Sequence, residues 1–498
     1  MKTRAFFVLR ERGILTTNTS QAVFWLSRDG EPTMKLADWS RAVIVFMTLA
    51  GGMGLFALAG KAWWRHAASD DAHPGYFVDL AYTTGHAPED SVSFYAGAAV
   101  GNITPTVPDS FSDRNADGRF SIGIDTWSDR NRNRRFDAVW LAGEANARPA
   151  GGVQDSLYAR AIVFGDSQHR IAICTVDNFG VFYDDVIAIR ALVANLLATK
   201  NDSLEYVAIV ATGSMCAPDM MGFWGRSEEE SGRDPAYAEQ LRRTVAETVV
   251  RAATGARAAM FEGWQRNTSP AEASIVFRAD NGTPIALLSV GAERRRTGGK
   301  AGVMVSAEND DDFAEQGSSE SSGGLAPVHV VLPGIPAGTH STAAADSPGE
   351  NAPMRENRCA FSIRAQTVLA PVGMGSIRTA ANLGLIDRGF VDGKLRTETA
   401  ALCLAGIQLV LVPGTIRDPE AVYLEDSPIR GYGKRFLVTR SNDFLGDLDV
   451  PSRDTTHSLL PRISIGLEGR RTIMQEMSLL AKDDLFRYPQ LHNRCDVR

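Results

Sequence analysis

The sequence predicts an α/β body built on a mixed sheet and preceded by one transmembrane helix. Three observations predict it: an uncharged apolar run near the N-terminus, strand-like and helix-like segments that alternate from residue 157 onward, and an ordinary globular composition. Of 498 residues, 44% are hydrophobic and 22% charged, which excludes a mainly disordered chain, a collagen-like fibre and a polytopic membrane protein. A net charge of −7 leaves no global basic field for a nucleic-acid backbone. The five cysteines, none in a CxxC pair, exclude a disulfide-dense scaffold and a zinc ribbon.

The apolar run is Ala42 to Gly60, AVIVFMTLAGGMGLFALAG, close to the roughly 20 residues that a helix needs to cross a bilayer. Arg41 and Lys61 bracket it, and Trp63-Trp64 stand where an interfacial aromatic anchor belongs. Lys2, Arg4, Arg10, Arg12, Arg28, Lys35 and Arg41 precede it, whereas only Lys61 and Arg65 follow before Asp70-Asp71. This bias assigns residues 1–41 to the cytoplasm and residues 67–498 to the extracytoplasmic side. A cleaved signal peptide is the rival of a retained signal anchor. Such peptides usually fit within ~30 residues, so the long basic leader favours the anchor.

Ser91–Val100 alternates as a strand should. Leu157–Phe164 and Ile171–Asp177 read as buried strands around a Gly165-Asp166 turn, and Glu205–Thr212 as a third. Asp184–Thr199 repeats its apolar residues at helical spacing behind an acidic pair, and a second helix is expected from Asp234 to about Ala253. Further strands are expected at Ala273–Arg278, Pro284–Val290, Pro327–Leu332, Gln366–Ala370, Ile407–Val412 and Arg435–Thr439, with a closing helix near Arg471–Lys482. Residues 306–324 and 337–353 are rich in small and acidic residues and nearly without large apolar ones. They cannot bury enough surface to offset ordering entropy, and are expected as mobile insertions within the 67–498 body.

An oxygen-rich motif occurs twice, sixteen residues apart. Asp113, Asn115 and Asp117 sit at positions one, three and five of a loop with Gly118 at six, and Asp125 stands near the place of a closing carboxylate. That pattern suits calcium, which takes six to eight hard oxygen ligands. The second copy offers Asp129, Asn131, Asn133 and Asp137, but has Arg134 in place of the glycine. A pair of Asx-rich turns without an ion is the alternative.

From this repeat onward the chain resembles a known family. Phe136–Gly143 (FDAVWLAG), Arg148–Val153 (RPAGGV), Leu157–Val163 (LYARAIV) and Ala217–Gly225 (APDMMGFWG) carry the likeness. They are similar to the N-terminal domain of the neutral/alkaline non-lysosomal ceramidases. Val412-Pro413-Gly414 and Ser441–Gly446 (SNDFLG) resemble two later landmarks. The resemblance implies a mixed α/β body around one zinc ion. It also implies hydrolysis of the N-acyl amide of a sphingolipid, giving a sphingoid base and a fatty acid, with zinc activating the attacking water.

The substitutions weigh against that chemistry. By the resemblance, Gln154, Gly213 and Met215 replace three histidines, Thr415 a glutamate and Asp447 a tyrosine of the zinc site. A His-Pro-Glu element corresponds to the Gly291-Ala292-Glu293 region. Glycine supplies no ligand, and methionine prefers soft cuprous copper. None of the eight histidines pairs with another at HxH or HxxxH spacing. Cys216 has no histidine assigned to it, and Ser214 lacks the second glycine of a nucleophile elbow. No catalytic residue is assigned. The expectation is a membrane-anchored, degenerate ceramidase-like protein, a lipid-binding, scaffolding or regulatory module with calcium as its possible ion and no bound zinc. The alternative is an active amide or ester hydrolase of the N-acylsphingosine amidohydrolase type with a rebuilt metal site.

Overall fold

The structure is a computed structural model. It describes residues 36–68, 73, 75–83, 94–143, 145–167, 169–266, 272–291, 303–304, 327–337, 361–372, 376–405, 407–416, 435–448 and 465–482. The chain divides into two units, residues 1–64 and 65–498.

In the first unit, helix α1 spans Leu36–Ala68 and continues into the second. Within it, Val43–Gly60 is long and apolar enough to cross a membrane, and its side chains are exposed throughout. Such a surface is costly in water and suited to lipid.

The second unit opens with β1 (Asp79–Thr83), β2 (Tyr95–Asn102), β3 (Ser110–Ser112), β4 (Thr126–Ser128), β5 (Gly152–Val153), β6 (Tyr158–Gly165) and β7 (Arg170–Val176). Helix α2 (Tyr183–Ala198), β8 (Tyr206–Ala211) and α3 (Pro235–Thr254) follow. Then come β9 (Arg257–Arg266), β10 (Glu272–Ala279), β11 (Pro284–Gly291), β12 (Val303–Met304), β13 (Val328–Ala337) and β14 (Ser362–Pro371). Helix α4 (Ser376–Leu383), β15 (Lys394–Leu404), β16 (Ile407–Leu411), β17 (Arg435–Val438) and α5 (Gly466–Ala481) complete the described elements. Thirteen strands join in one mixed sheet of order β1-β14-β15-β16-β17-β13-β11-β10-β9-β2-β6-β7-β8.

Period-two alternation makes this sheet a four-layer body. Ile162 and Phe164 of β6, Ile171 and Ile173 of β7, and Tyr206 and Val210 of β8 share one core with Leu402, Leu409, Leu411, Phe436 and Val438 of β15, β16 and β17. The intervening residues face outward. Val163, Cys174 and Ile209 pack under α2 and α3, while Ala401, Cys403, Val410 and Leu437 pack under α4 and α5. Strands covered on both faces read as continuous apolar runs, which is why these segments were legible. Helix α3 is fixed by Asp234, whose side chain accepts from the Ala236 amide ahead of Pro235. It lies so close to β2 that a Cβ on Gly97 would sit 2.2 Å from the Ala252 carbonyl oxygen.

The expected strands and helices are found with shifts at their ends. Two long strands, β9 and β15, were not anticipated. Gly263 interrupts the apolar pattern of β9, where a Cβ would approach that of Ala405 to 2.7 Å. In β15 the polar residues Arg396, Thr397, Glu398 and Thr399 are all buried, against the usual sign of polarity. The insertions at 306–324 and 338–353 lie outside the described residues, and Ala337 ends β13.

Candidate functional site

Of the five positions that the family resemblance places at a zinc site, Gly213 and Met215 follow β8, and Thr415 and Asp447 lie on turns tied to the end of β8 through segment 440–442. Segment 440–442 runs beside that end: the Ala211 amide donates to the Arg440 carbonyl at 3.1 Å, and the Asn442 amide to the Ile209 carbonyl at 2.7 Å. The Asn442 side chain returns a bond, its Oδ1 accepting from the Ile209 amide at 2.9 Å. Holding this segment requires positive φ at Arg440 (54°) and Asn442 (60°), a conformation that costs most residues about 1 kcal/mol or more. The Arg440 amide donates in turn to the Gly414 carbonyl, tying in the Val412–Thr415 turn.

Gly213 and Met215 follow β8. The Gly213 amide donates to the Asn178 carbonyl at 2.8 Å, and Gly213 holds φ of 83°. Met215 fills the place that a side chain on Gly143 would occupy, 2.8 Å from that position. Thr415 and Asp447 pair across the facing turns, the Thr415 amide donating to the Gly446 carbonyl at 2.8 Å. The Thr415 hydroxyl donates to Asp447 Oδ1 at 2.6 Å. Gln154 stands apart: it is exposed, one residue past β5, and no hydrogen bond among the described residues links it to the other four.

This donor set does not fit zinc. Gly213 has no side chain, the Met215 thioether is a soft donor, and Thr415 directs its hydroxyl hydrogen at Asp447. Cys216, half-buried beside Ser214, is the other group here able to bind zinc. Among the described residues no three His, Cys, Asp or Glu side chains gather as a metal would require. His169 stacks on Tyr82, and His329 meets the Ser289 hydroxyl.

The surrounding frame is polar, buried and highly connected. Glu398 of β15 receives Arg190 through both oxygens, at 2.7 and 2.8 Å, with Tyr206 at 2.6 Å, Tyr183 at 2.8 Å and Asn442 at 3.0 Å. Burial and the Glu398 charge push both tyrosine hydroxyls well above their ordinary pKa. Asp443 pairs with Arg388 at 2.5 Å and also accepts from the Tyr183 amide. Burial pushes its carboxyl up to about 6, with Arg388 pulling the other way. The Arg440 guanidinium lies over Phe179 and Phe444, 5.4 and 5.6 Å from their centroids. Asp219, fully buried, accepts from the amides of Met221, Gly222 and Trp224 and shapes the Ala217–Gly225 turn. Sequence reasoning missed Glu398 and Arg388, whose buried partners are distant in the chain.

The oxygen-rich repeat is a pseudo-symmetric hairpin. Strands β3 and β4 pair Ser110 with Ser128, Phe111 with Trp127 and Ser112 with Thr126. In the first loop, Asp113 accepts from the amides of Asp117 and Gly118, and Asp117 accepts from the Asn115 amide group and the Arg119 amide. In the second, Asp129 accepts from the amides of Asn133 and Arg134, and Asp137 from the side-chain amides of Asn131 and Asn133. Each loop is closed from the other strand. Asp125, ahead of β4, accepts from Arg114 and Ser121 of the first loop, whereas Asp109, ahead of β3, accepts from Arg130 and Asp137 of the second. Asp109 was missed, although extending the repeat four residues backward finds it opposite Asp125. Phe120 and Phe136 meet between the loops at 4.1 Å. A cation at the first loop would draw on oxygens of Asp113, Asn115 and Asp117, whose carboxylates here accept from loop amides. Positive φ at Ala116 (57°) and Gly118 (74°) forms its turn. In the second copy Arg134 holds φ of 64° with a charged side chain, a poorer cation loop.

No protein-family model matches the sequence, and neither does any curated protein. The fold, however, has solved counterparts. The neutral ceramidase of Pseudomonas aeruginosa superposes with a TM-score of 0.51 at 12% identity, covering 82% of this chain and 76% of its own. A ceramidase complexed with C2 gives 0.51 at 12%, covering 80% and 75%. The fold is ceramidase-like. At this identity the likeness concerns architecture, a mixed α/β body, and activity has to be argued from the site.

Proposed function

We propose that this chain is a membrane-anchored, ceramidase-fold protein that binds lipid without hydrolysing it, as a scaffolding or regulatory module. One observation carries the reading. Thr415 and Asp447, which the family resemblance aligns with zinc ligands, are bonded to each other, and the resemblance aligns a glycine, a methionine and a glutamine with the other ligands. Phe179, Trp224 and Phe444 pack edge to face in one buried aromatic cluster of the same half of the body, an apolar surface of the kind that suits an acyl chain. Val43–Gly60 supports the anchor, and the excess of Lys and Arg before it supports a cytoplasmic N-terminus.

A second reading, an amide or ester hydrolase with a rebuilt metal site, draws on Cys216 and Asp447. It needs further ligands from segments outside the described residues. Metal analysis of the purified protein together with hydrolysis of a short fluorogenic ceramide separates the two. The binding reading expects substoichiometric zinc, no turnover, and saturable binding of the uncleaved ceramide. Stoichiometric zinc with chelator-sensitive turnover decides for the hydrolase.

A further inference from the structure

We propose that the 109–137 hairpin docks this protein onto an anionic phospholipid surface. Its charges are sorted by direction. All six aspartates of the hairpin are turned onto amide hydrogens of the two loops, and Asp109 and Asp125 are buried. The six arginines between residues 114 and 135 are all exposed, and no guanidinium among them bonds or pairs with a described residue. The hairpin is neutral by count, but with two of its six carboxylates buried the guanidiniums outnumber the carboxylates at its surface. Guanidinium groups suit this role because they grip phosphate oxygens bidentately.

Apolar groups share that surface. Ile122 is 66% exposed, Ile124 49% and Trp127 42%, three large apolar side chains within six residues. The turn carrying the isoleucines is open at its tip, where nothing lies within 4 Å of a Cβ built on Gly123. Trp127 rests its ring against Phe120 and Phe136, at 6.0 Å from each. An indole with one edge supported and the other exposed, among arginines, matches the headgroup region of a bilayer. A protein partner would leave the unpaired guanidiniums needing a matching acidic face, whereas an anionic lipid surface supplies phosphates at any spacing. The inference rests on the anchored reading only for keeping a bilayer within reach.

The test uses residues 65–498, a compact unit with its own three cores that leaves out the Val43–Gly60 segment, so its outcome is independent of the anchor. Co-sedimentation with phosphatidylcholine vesicles is compared with vesicles that also contain phosphatidylglycerol. Binding is expected to be at least about tenfold tighter with the anionic lipid and to weaken as salt rises. Ile122→Ser with Ile124→Ser should lower affinity on the order of tenfold, and Arg132→Gln with Arg135→Gln about fivefold per charge. These side chains are exposed, so an unchanged Tm verifies folding of each variant. Equal binding to both vesicles overturns the proposal. So does full retention of binding in the isoleucine variant, which marks bare polyanion attraction. Self-association through the patch without vesicle binding overturns it as well.

Discussion

The Thr415 hydroxyl donates to Asp447 Oδ1 at 2.6 Å, so two residues on facing turns satisfy each other where the family resemblance places metal ligands. The two turns are joined again by the Thr415 amide on Gly446 and the Leu448 amide on Thr415.

Thr415→Val should therefore cost stability. A hydrogen bond to a charged acceptor contributes about 1.5–3 kcal/mol, and Thr415 is buried. Chemical denaturation should show a lower midpoint with unchanged slope. An unaltered midpoint would mean that the bond contributes nothing.

Glu398→Gln should be more severe. It leaves the Arg190 guanidinium buried without its charge partner, and breaking such a pair costs about 3–5 kcal/mol. The Asn442 side chain loses part of its support as well, so the 440–447 segment should loosen first. Hydrogen exchange should show faster exchange at the Asn442 amide, which donates to Ile209, than at β6 amides.

Asp443 gives a pH dependence with a definite sign. Its carboxyl is pushed up to about 6 by burial, above its ordinary 3.8. Between those values the folded state holds a proton that the unfolded state has released, so this contribution is largest at the acid end and is lost as pH rises through 6. Unfolding free energies measured at pH 4, 5, 6 and 7 should decline more steeply with pH for the native chain than for Asp443→Asn. Parallel profiles would refute the assignment.

Calcium should raise the Tm of the native protein if the first loop holds the ion. At a free concentration about 100 times Kd, binding adds about 2.7 kcal/mol. Asp113→Ala with Asp117→Ala should abolish the shift, while Asp129→Ala, in the loop with Arg134, should change it little. A Tm indifferent to calcium would leave the repeat as two amide-satisfied turns.

The apolar segment, the strands buried on both faces and the duplicated loops were legible because each is a local pattern, written in consecutive residues. Ile162, Val163 and Phe164 announce a buried strand whatever lies above and below it. The run from Lys394 to Leu404 gave no such signal, because Glu398 is tolerable in a core only when Arg190 and Tyr183 arrive from helix α2 and Tyr206 from strand β8. The repeat at 113 and 129 was visible, but the exchange in which Asp109 and Asp125 each close the other's loop exists only once β3 and β4 pair. Local periodicity records what a segment buries. Which partner neutralises a buried charge is decided by chain contacts hundreds of residues apart, and only the folded body brings those together.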